Sequence, residues 1–245
     1  MPAPTEGLIT FYNMSQLDGG NMDDLTANGN DGAFSSGSPS VSTGTVSNAR
    51  HFTTGASFIS LSTMIAGMFA GPATICAWVK TDGVGATRIG WYFQNDSPGN
   101  LRIFGHYLSG ATTLWVATGA TLASSVRSNP ANANIVAGKW YHIAVTYNYG
   151  KASAIYAQGT AVTYSSADNF AQANRMRHIG NNSNGAGTGW TGDIDEFRYY
   201  SRILNSTEIN NVFADTTSYP EVAGAAAARR PSSRNHPVTR PRWGR

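Results

Sequence analysis

The sequence predicts an all-β fold, a two-sheet antiparallel sandwich that ends in one short helix and a basic C-terminal arm. Apolar and polar residues alternate along many short segments, which is the period of β-strands. Gly, Asn, Asp and Ser cluster between these segments, as expected for tight turns. Helical periodicity is confined to one segment near residue 210, and a length of 245 residues suits one sandwich domain.

The predicted strands follow one another at short intervals. Residues 139–148, KWYHIAVTYN, alternate most clearly, and residues 74–80, TICAWVK, have the pattern of a core strand. Residues 13–33 form a loop rich in Asp, Asn and Gly, whose short side chains bond neighbouring amides. Residues 35–48 are an extended edge or loop. The other predicted strands are 7–12, 50–52, 57–61, 88–94, 100–107, 113–117, 153–157, 161–164 and 177–180.

The stretch 188–213 closes the domain with a strand and a helix. Residues 190–200 alternate with period two, which places Asp193 and Asp195 on one face of a strand and Glu196 on the other. Asn205 and Glu208 have the spacing of a capping box, and apolar residues then recur at helical spacing up to residue 213. The sequence therefore predicts one short helix directly after the last strand.

Charge divides the chain into two predicted regions, a domain at 1–219 and an arm at 220–245. Residues 1–220 carry 11 Lys/Arg and 13 Asp/Glu, whereas residues 221–245 carry six arginines and one glutamate. The near-neutral body gives no reason to expect specific nucleic-acid binding. Arginine and proline without apolar periodicity build no core, so the arm is expected to gain order only on a partner.

Two interpretations of the arm remain open. Its charge can bind nucleic acid or an anionic membrane electrostatically, or its arginines and prolines can lie along a groove of a partner protein subunit. We favour attachment to protein subunits of a larger assembly and leave a homo-oligomer open. The residues expected to bind the partner are Arg229, Arg230, Arg234, Arg240, Arg242, Trp243 and Arg245.

Cysteine usage and terminal composition set further limits. Cys76 is the single cysteine, so no internal disulfide can form, and its apolar strand context predicts a buried, inert thiol. The N-terminal segment MPAPTEG lacks a basic region followed by an apolar stretch, so no secretion signal is expected. The longest apolar run, residues 64–70, is too short to span a bilayer.

Three passages carry a family resemblance. They are DLTANGNDG at 24–32, TICAWVKTDG at 74–83 together with GKWYHIAVTYNYG at 138–150, and GDIDEFRYYSRILNSTEI at 192–209. Together they resemble the LamG-like jelly-roll family, part of the concanavalin A-like lectin/glucanase sandwiches, over residues 7–214. This resemblance implies a jelly-roll scaffold that binds sugars, proteins or other surfaces through loops, often with calcium. At 156–159 the chain has YAQG where the family usually has Asp before the Gly.

The acids of the closing strand give an incomplete catalytic set. Glycoside hydrolases of this sandwich class place a third carboxylate four or five residues after the first, because acid and nucleophile must flank the glycosidic bond. Here Phe197 and Arg198 occupy those positions after Asp193. We therefore expect that the protein is not an enzyme.

Calcium is the cofactor that the loop composition makes conceivable. Asp24, Asn28, Asn30 and Asp31 offer hard oxygen ligands, and Asp195 can join them from the closing strand. The alternative, which we favour, is that these side chains cap amides of their own turn.

Two other groups of residues suggest binding more weakly. His142 lies between core-like strand residues and is expected to be a hydrogen-bonded structural histidine. Aromatic residues on the middle strands can form a sugar platform by stacking, although aromatics in strands are more often core. They are Trp91, Tyr92, Tyr107 and Trp115.

We therefore expect a non-catalytic surface or adhesion protein anchored by its arm. The low charge and Gly/Ser/Thr-rich composition favour a virion surface component, such as a capsid decoration or a tail-associated protein. The alternative is a free-standing, extracellular carbohydrate-binding lectin that contacts cell-surface glycans. A divergent glucanase is a distant third.

Overall fold

A computed structural model gives the fold of most of the predicted domain. The residues that the structure describes are 2–15, 17–18, 20–35, 37–53, 57–65, 71–83, 91–94, 102–107, 114–119, 125–128, 135–148, 151–162, 164–165, 175–180 and 190–215. The arm at 220–245, with all the arginines assigned to partner binding, lies outside them, so the domain boundary at 219/220 remains a prediction.

The described residues form antiparallel strands and one helix. The strands are β1 (Leu8–Tyr12), β2 (Leu17–Asp18), β3 (Asn21–Met22), β4 (Gly32–Phe34), β5 (Ser40–Thr43), β6 (Asn48–Phe52), β7 (Ile59–Ile65), β8 (Ala73–Thr81), β9 (Trp91–Gln94), β10 (Arg102–Tyr107), β11 (Leu114–Gly119), β12 (Ser125–Ser128), β13 (Trp140–Asn148), β14 (Lys151–Ala157), β15 (Thr160–Val162), β16 (Tyr164–Ser165), β17 (Arg175–Ile179) and β18 (Gly192–Tyr200). The helix is α1 (Ser206–Ala214).

Two antiparallel sheets confirm the predicted sandwich. Sheet A has the order β15-β14-β13-β8-β18-β6-β5, with β1 also paired to β18. Sheet B has the order β16-β12-β11-β10-β9-β17-β7-β4-β3-β2. The closing strand β18 therefore lies inside sheet A, although it comes last in the chain. Strands distant in sequence surround it, so residues from both ends of the domain meet there.

The core lies between the sheets and follows the predicted alternation. Ile75, Ala77 and Val79 of β8 are buried in the same cluster as Ile143 and Val145 of β13. Sheet B contributes its own buried residues to this cluster, among them Met22, Ile59, Leu61 and Ile179. The intervening residues of β8 and β13 point to the opposite side of sheet A, called the outer face here.

Helix α1 covers part of that outer face. The predicted capping box is confirmed, because Asn205 accepts from the Glu208 amide and Glu208 accepts from the Asn205 amide. Ile209 and Val212 pack in one buried cluster with Cys76, Ala144 and Tyr200. Cys76 is fully buried as expected, and burial raises the pKa of its thiol to about 12, so the thiol is unreactive.

A β-bulge in β18 corrects the predicted face assignment of the closing strand. Asp195 pairs with Trp78 and Arg198 with Cys76, so one extra residue is inserted in β18. Glu196 adopts a positive φ of 50° at this point. An inserted residue moves every side chain that follows it to the other face of the sheet. Phe197 therefore joins the core cluster, whereas Glu196 lies on the outer face with Asp193 and Asp195. The prediction that Glu196 faces away from the two aspartates was wrong.

Other differences are local. The hairpin predicted around Gln158 and Gly159 is confirmed, and both residues have the positive φ that a tight turn requires. The predicted edge at 35–48 contains strand β5. The short strands β2, β3, β4 and β12 were not predicted, because two to four residues carry little periodicity. No helix in the described part of the chain is long and apolar enough to cross a membrane.

Candidate functional site

The loop after β3 brings four of the five proposed calcium ligands together around strand β1. The Asp24 carboxylate accepts two hydrogen bonds at Oδ1, from the amides of Phe11 (3.0 Å) and Thr26 (3.1 Å). Its Oδ2 accepts two more, from Thr26 Oγ1 and the Asn30 amide, each at 2.9 Å. Asp31 Oδ1 accepts from the Asp24 amide at 3.0 Å. The loop therefore closes on itself through its own carboxylates.

These residues do not fit a calcium site. The four acceptor positions of the Asp24 carboxylate are filled by protein donors. Asn28 and Asn30 each turn their amide NH₂ toward the Ile9 carbonyl, so they act as donors there. Asp195 is bonded elsewhere, since its Oδ2 accepts from the amide and hydroxyl of Thr45 at 2.8 and 3.0 Å. The favoured alternative, caps for turn amides, describes this arrangement. Among the described residues no group of three or more His, Cys, Asp or Glu can hold a metal.

A buried charge cluster occupies the outer face beneath the C-terminus of α1. Arg198 is 2% exposed, and its Nη2 donates to Glu196 Oε2 at 2.8 Å and to Asp215 Oδ2 at 3.0 Å. The guanidinium also lies over the Phe11 ring, 4.4 Å from its centroid. Asp215 is the C-cap of α1, so this cluster joins the helix end to the bulge of β18.

Burial dominates the electrostatics of the cluster. It raises the pKa of Glu196 to about 7, although the Arg198 guanidinium opposes the shift. Oε1 of Glu196 is buried with no hydrogen-bond partner in the described residues. Burial likewise raises the pKa of Asp195, against hydrogen bonds from the Thr45 turn. None of these carboxylates is open to a substrate, because each residue is at most 4% exposed.

A second polar group on the same face is accessible. We call it the outer-face row: His51, Asp193, Lys80 and Trp140 on four adjacent strands, with Asp82 just after β8. Cross-strand register places Asp193 opposite His51 on one side and opposite Lys80 on the other. Lys80 in turn lies opposite Trp140. Residues paired in this way share one face of the sheet.

Asp193 is the centre of the outer-face row. Lys80 Nζ lies 2.6 Å from its Oδ2, and its Oδ1 accepts from Ser42 Oγ at 2.7 Å and from His51 Nδ1 at 3.0 Å. Burial alone raises the pKa of Asp193, but the hydrogen bonds from Lys80, Ser42 and His51 outweigh it and hold the pKa below its usual value. The carboxylate is therefore a fixed anion that orients its neighbours.

The other members of the row present partly accessible groups. Lys80 Nζ lies 5.0 Å from the centroid of the Trp140 ring, a cation–π distance. His51 Nε2 lies 3.5 Å from Asp82 Oδ2. The side chains of Lys80, His51 and Asp82 are 25%, 28% and 42% exposed, and Trp140 is partly exposed. An indole, an ammonium, an imidazole and a carboxylate thus meet at one surface.

Gly192 lets β18 start close to β8 at this row. Its φ is 133°, and a Cβ there would lie 2.1 Å from the Lys80 carbonyl oxygen. Only glycine tolerates both the conformation and the approach. The glycine of the GDIDEF passage is therefore a packing requirement that brings Asp193 beside Lys80.

The geometry of the row differs from that of a Ser-His-Asp catalytic triad. Asp193 accepts from both Ser42 and His51, so the histidine bonds to the carboxylate and not to the serine hydroxyl. In a hydrolytic triad the histidine lies between the other two. The arrangement suits the orientation of polar groups more than the activation of Ser42.

Sequence reasoning missed most of the row. Asp193 was noted for its carboxylate, but His51 and Lys80 carried no local signal of contact with it. His142 was expected to be hydrogen-bonded, yet neither ring nitrogen has a partner in the described residues. Its ring instead packs against Trp78 and Phe213, and burial lowers its pKa to about 3. For the four candidate platform aromatics, the strands are described but the side chains are not.

Comparison with known proteins relates this chain to a protein family. A family model described as the concanavalin A-like lectin/glucanases superfamily matches residues 53–210. This range contains two of the three passages that carried the resemblance. No curated protein matches the chain.

Several solved structures are similar to the chain at low sequence identity. Domain 4 of AbnA, an extracellular arabinanase of Geobacillus stearothermophilus in complex with arabinotriose, aligns with TM-score 0.61 and 21% identity over 84% of this chain and 97% of that domain. A Trypanosoma rangeli sialidase aligns with TM-score 0.64 and 19% identity over 86% of this chain, which spans 33% of the sialidase. The binding domain of Paraclostridial Mosquitocidal Protein 1 aligns with TM-score 0.57 and 16% identity over 84% of this chain and 52% of that domain.

Proposed function

The chain belongs to the concanavalin A-like lectin/glucanases superfamily, and from this premise we propose that it is a non-catalytic carbohydrate-binding domain. The observation that carries the proposal is the state of the β18 carboxylates. Asp195 and Glu196 are buried and engaged by a turn and by Arg198, and Asp193 is held by three donors. No pair of them flanks an open cleft as glycoside hydrolysis requires.

The size of the domain supports the same proposal. The chain aligns with nearly the whole of AbnA domain 4, a sandwich solved with arabinotriose. It spans only a third of the sialidase, so that enzyme's activity is no guide to this chain. A sandwich domain with an accessible polar and aromatic row is suited to binding an oligosaccharide.

The test measures binding and hydrolysis on the same purified full chain. We expect signal on an array of neutral and acidic oligosaccharides that includes arabinotriose, unchanged by EDTA, since the Asp24 loop does not fit calcium. Prolonged incubation with the bound oligosaccharides should release no reducing sugar. Release of reducing sugar would overturn the non-catalytic assignment, and an array without signal would overturn carbohydrate binding.

We further propose that the arm at 220–245 fastens this domain to a larger assembly, with a virion surface as the assembly that the composition favours. The support is the charge division, with six arginines and one glutamate in residues 221–245. Multivalent arginine contacts attach a domain with little buried area.

Truncation tests the attachment separately from carbohydrate binding. Deletion of residues 221–245 should abolish incorporation into particles when the chain is expressed with the structural proteins of a candidate virion, and should leave the array signal unchanged. Incorporation of the truncated chain at the full-length level would contradict the proposed role of the arm.

A further inference from the structure

We propose that the outer-face row of sheet A is the saccharide site of this domain and that it takes a neutral oligosaccharide, an inference that rests on the proposed carbohydrate-binding function. The row consists of His51, Lys80, Asp82, Trp140 and Asp193. The sequence pattern alone predicts a binding role for none of them.

The row has the dimensions of an oligosaccharide site. His51, Asp193, Lys80 and Trp140 lie on β6, β18, β8 and β13, which are successive strands of sheet A. At about 4.8 Å between neighbouring strands, the row extends roughly 14 Å. A ligand longer than one sugar unit can therefore contact the indole at one end and His51 at the other.

The groups of the row supply the two kinds of contact that sugars need. Trp140 is partly exposed and the Lys80 ammonium lies over its ring, 5.0 Å from the centroid, so an apolar indole and a cationic donor are offered to a sugar together. The Lys80 ammonium has three donors, and its ion pair with Asp193 uses one. Asp82 is the most exposed carboxylate of the row, at 42%, and accepts from hydroxyl groups. An aromatic surface with a few fixed polar groups is typical of a small-molecule site.

Asp193 acts as the positioning residue of the site. It is 4% exposed, so a ligand reaches its neighbours more readily than its own oxygens. By holding Lys80 and His51 through direct hydrogen bonds, it fixes their polar atoms before a ligand arrives. Fixed groups lose less conformational entropy on binding.

The charge of the row favours a neutral ligand. Lys80 is offset by Asp193, and Asp82 adds a second carboxylate beside His51. A carboxylated sugar would approach two aspartates with a single ammonium already paired, and like charges oppose binding. Neutral hydroxyl groups meet donors and acceptors without that cost.

Two described segments cover other parts of the outer face. Phe213 of α1 packs over Trp78 and His142. The turn at 44–46 bonds to Asp195. The row lies beyond both coverings, toward the end of β8 at Thr81.

The experiment measures oligosaccharide affinity of full-length variants. The probes are the neutral and acidic oligosaccharides of the array, followed by titration calorimetry with arabinotriose or the strongest neutral binder. We expect Trp140→Ala to weaken binding at least tenfold and Asp82→Ala, which alters an exposed side chain and should fold, to weaken it severalfold. Val41→Ala is the matched control, because Val41 is 58% exposed on the edge strand β5 and lies outside the row.

The outcomes distinguish failure of the site from failure of the proposed function. The site is supported if the wild type binds neutral sugars and if Trp140→Ala and Asp82→Ala weaken this binding while Val41→Ala does not. If all three variants fold and bind with the wild-type affinity, the saccharide binds elsewhere on the domain and the proposed function stands. Binding confined to acidic sugars overturns the ligand class. An array with no wild-type signal overturns the proposed function and this site together.

Discussion

One strand carries two charge groups on the same face, and they differ in almost every physical property. Asp193, near the start of β18, is held by Lys80, Ser42 and His51 at an accessible surface, and its pKa is lowered. Glu196, three residues later, is buried with Arg198 beneath α1, and its pKa is raised to about 7. Hydrogen-bond donors decide the difference, since the two carboxylates lie on one face of one strand and are equally little exposed: Asp193 accepts from three side chains and Glu196 from Arg198.

The two charge groups differ in what they contribute to this domain. A buried ion pair that joins the C-cap of α1 to the sheet gives a firm helix attachment but offers nothing to a ligand. The outer-face row keeps donors and an indole at the surface, where we propose that a saccharide binds. Substitutions at the two ends of β18 should therefore differ in size and in what they change.

The largest expected effect is at Arg198. Arg198→Ala leaves the Glu196 and Asp215 carboxylates buried without their shared cation, so we expect a loss of about 3–5 kcal/mol in the free energy of unfolding. Urea denaturation followed by tryptophan fluorescence measures it. A loss below about 1 kcal/mol would mean that the cluster is hydrated and that the two ends of β18 contribute alike to stability.

The second effect is a pH dependence that Glu196 introduces. Its folded-state pKa, about 7, lies above the ordinary 4.5. The folded protein therefore binds more protons between these values, and this group's contribution to stability falls as pH rises from 4.5 to 7. The change amounts to about 3 kcal/mol.

Glu196→Gln isolates this contribution, since glutamine does not titrate. The free energy of unfolding of the variant minus that of wild type should rise across this pH window, and a flat difference would contradict the assignment. Taking the difference is necessary because His142, whose pKa is lowered by burial, contributes the opposite slope. A neutral buried histidine loses stability on acidification below its ordinary pKa.

A smaller effect is expected at the accessible end. Asp193→Asn removes the charge that Lys80 and His51 bond to, and we expect a loss of about 2 kcal/mol, typical of hydrogen bonds to a charged group. Because the wild-type pKa is lowered, stability from Asp193 is present above its ordinary pKa and disappears in acid. Thermal unfolding at pH 7 and pH 3 tests this, since the difference between variant and wild type should shrink at pH 3.

The smallest effect is expected at Arg202, the matched surface ion pair. Arg202 Nη2 lies 2.7 Å from Glu208 Oε1, with both side chains 24% exposed. Solvent screens such pairs, so Arg202→Ala should cost below about 1 kcal/mol. The same urea denaturation measures this loss. A loss equal to that of Arg198→Ala would mean that burial does not decide how much an ion pair of this domain contributes to stability.

Local sequence patterns predicted the fold and part of the closing segment. The alternation of β8 and β13, the turn at Gln158 and Gly159, and the capping box of Asn205 and Glu208 are confirmed, because each depends on residues a few positions apart. The candidate site was not predictable in this way. The period-two pattern predicts the face of Asp193 correctly. The bulge at Glu196 reverses the faces of the side chains that follow it, and no local sequence pattern marks a bulge.

By itself, then, the sequence determined the sandwich class, the closing helix and the unequal charge of residues 1–220 and 221–245. These follow from period, capping and charge, which act over short distances along the chain. Only the tertiary structure decided which polar residues meet. His51 and Asp193 are 142 residues apart in sequence and are joined by strand order. The same order places Asp193 beside the partly exposed Lys80 and Glu196 beside the buried Arg198, because burial is a property of the packed sheet and not of the residue.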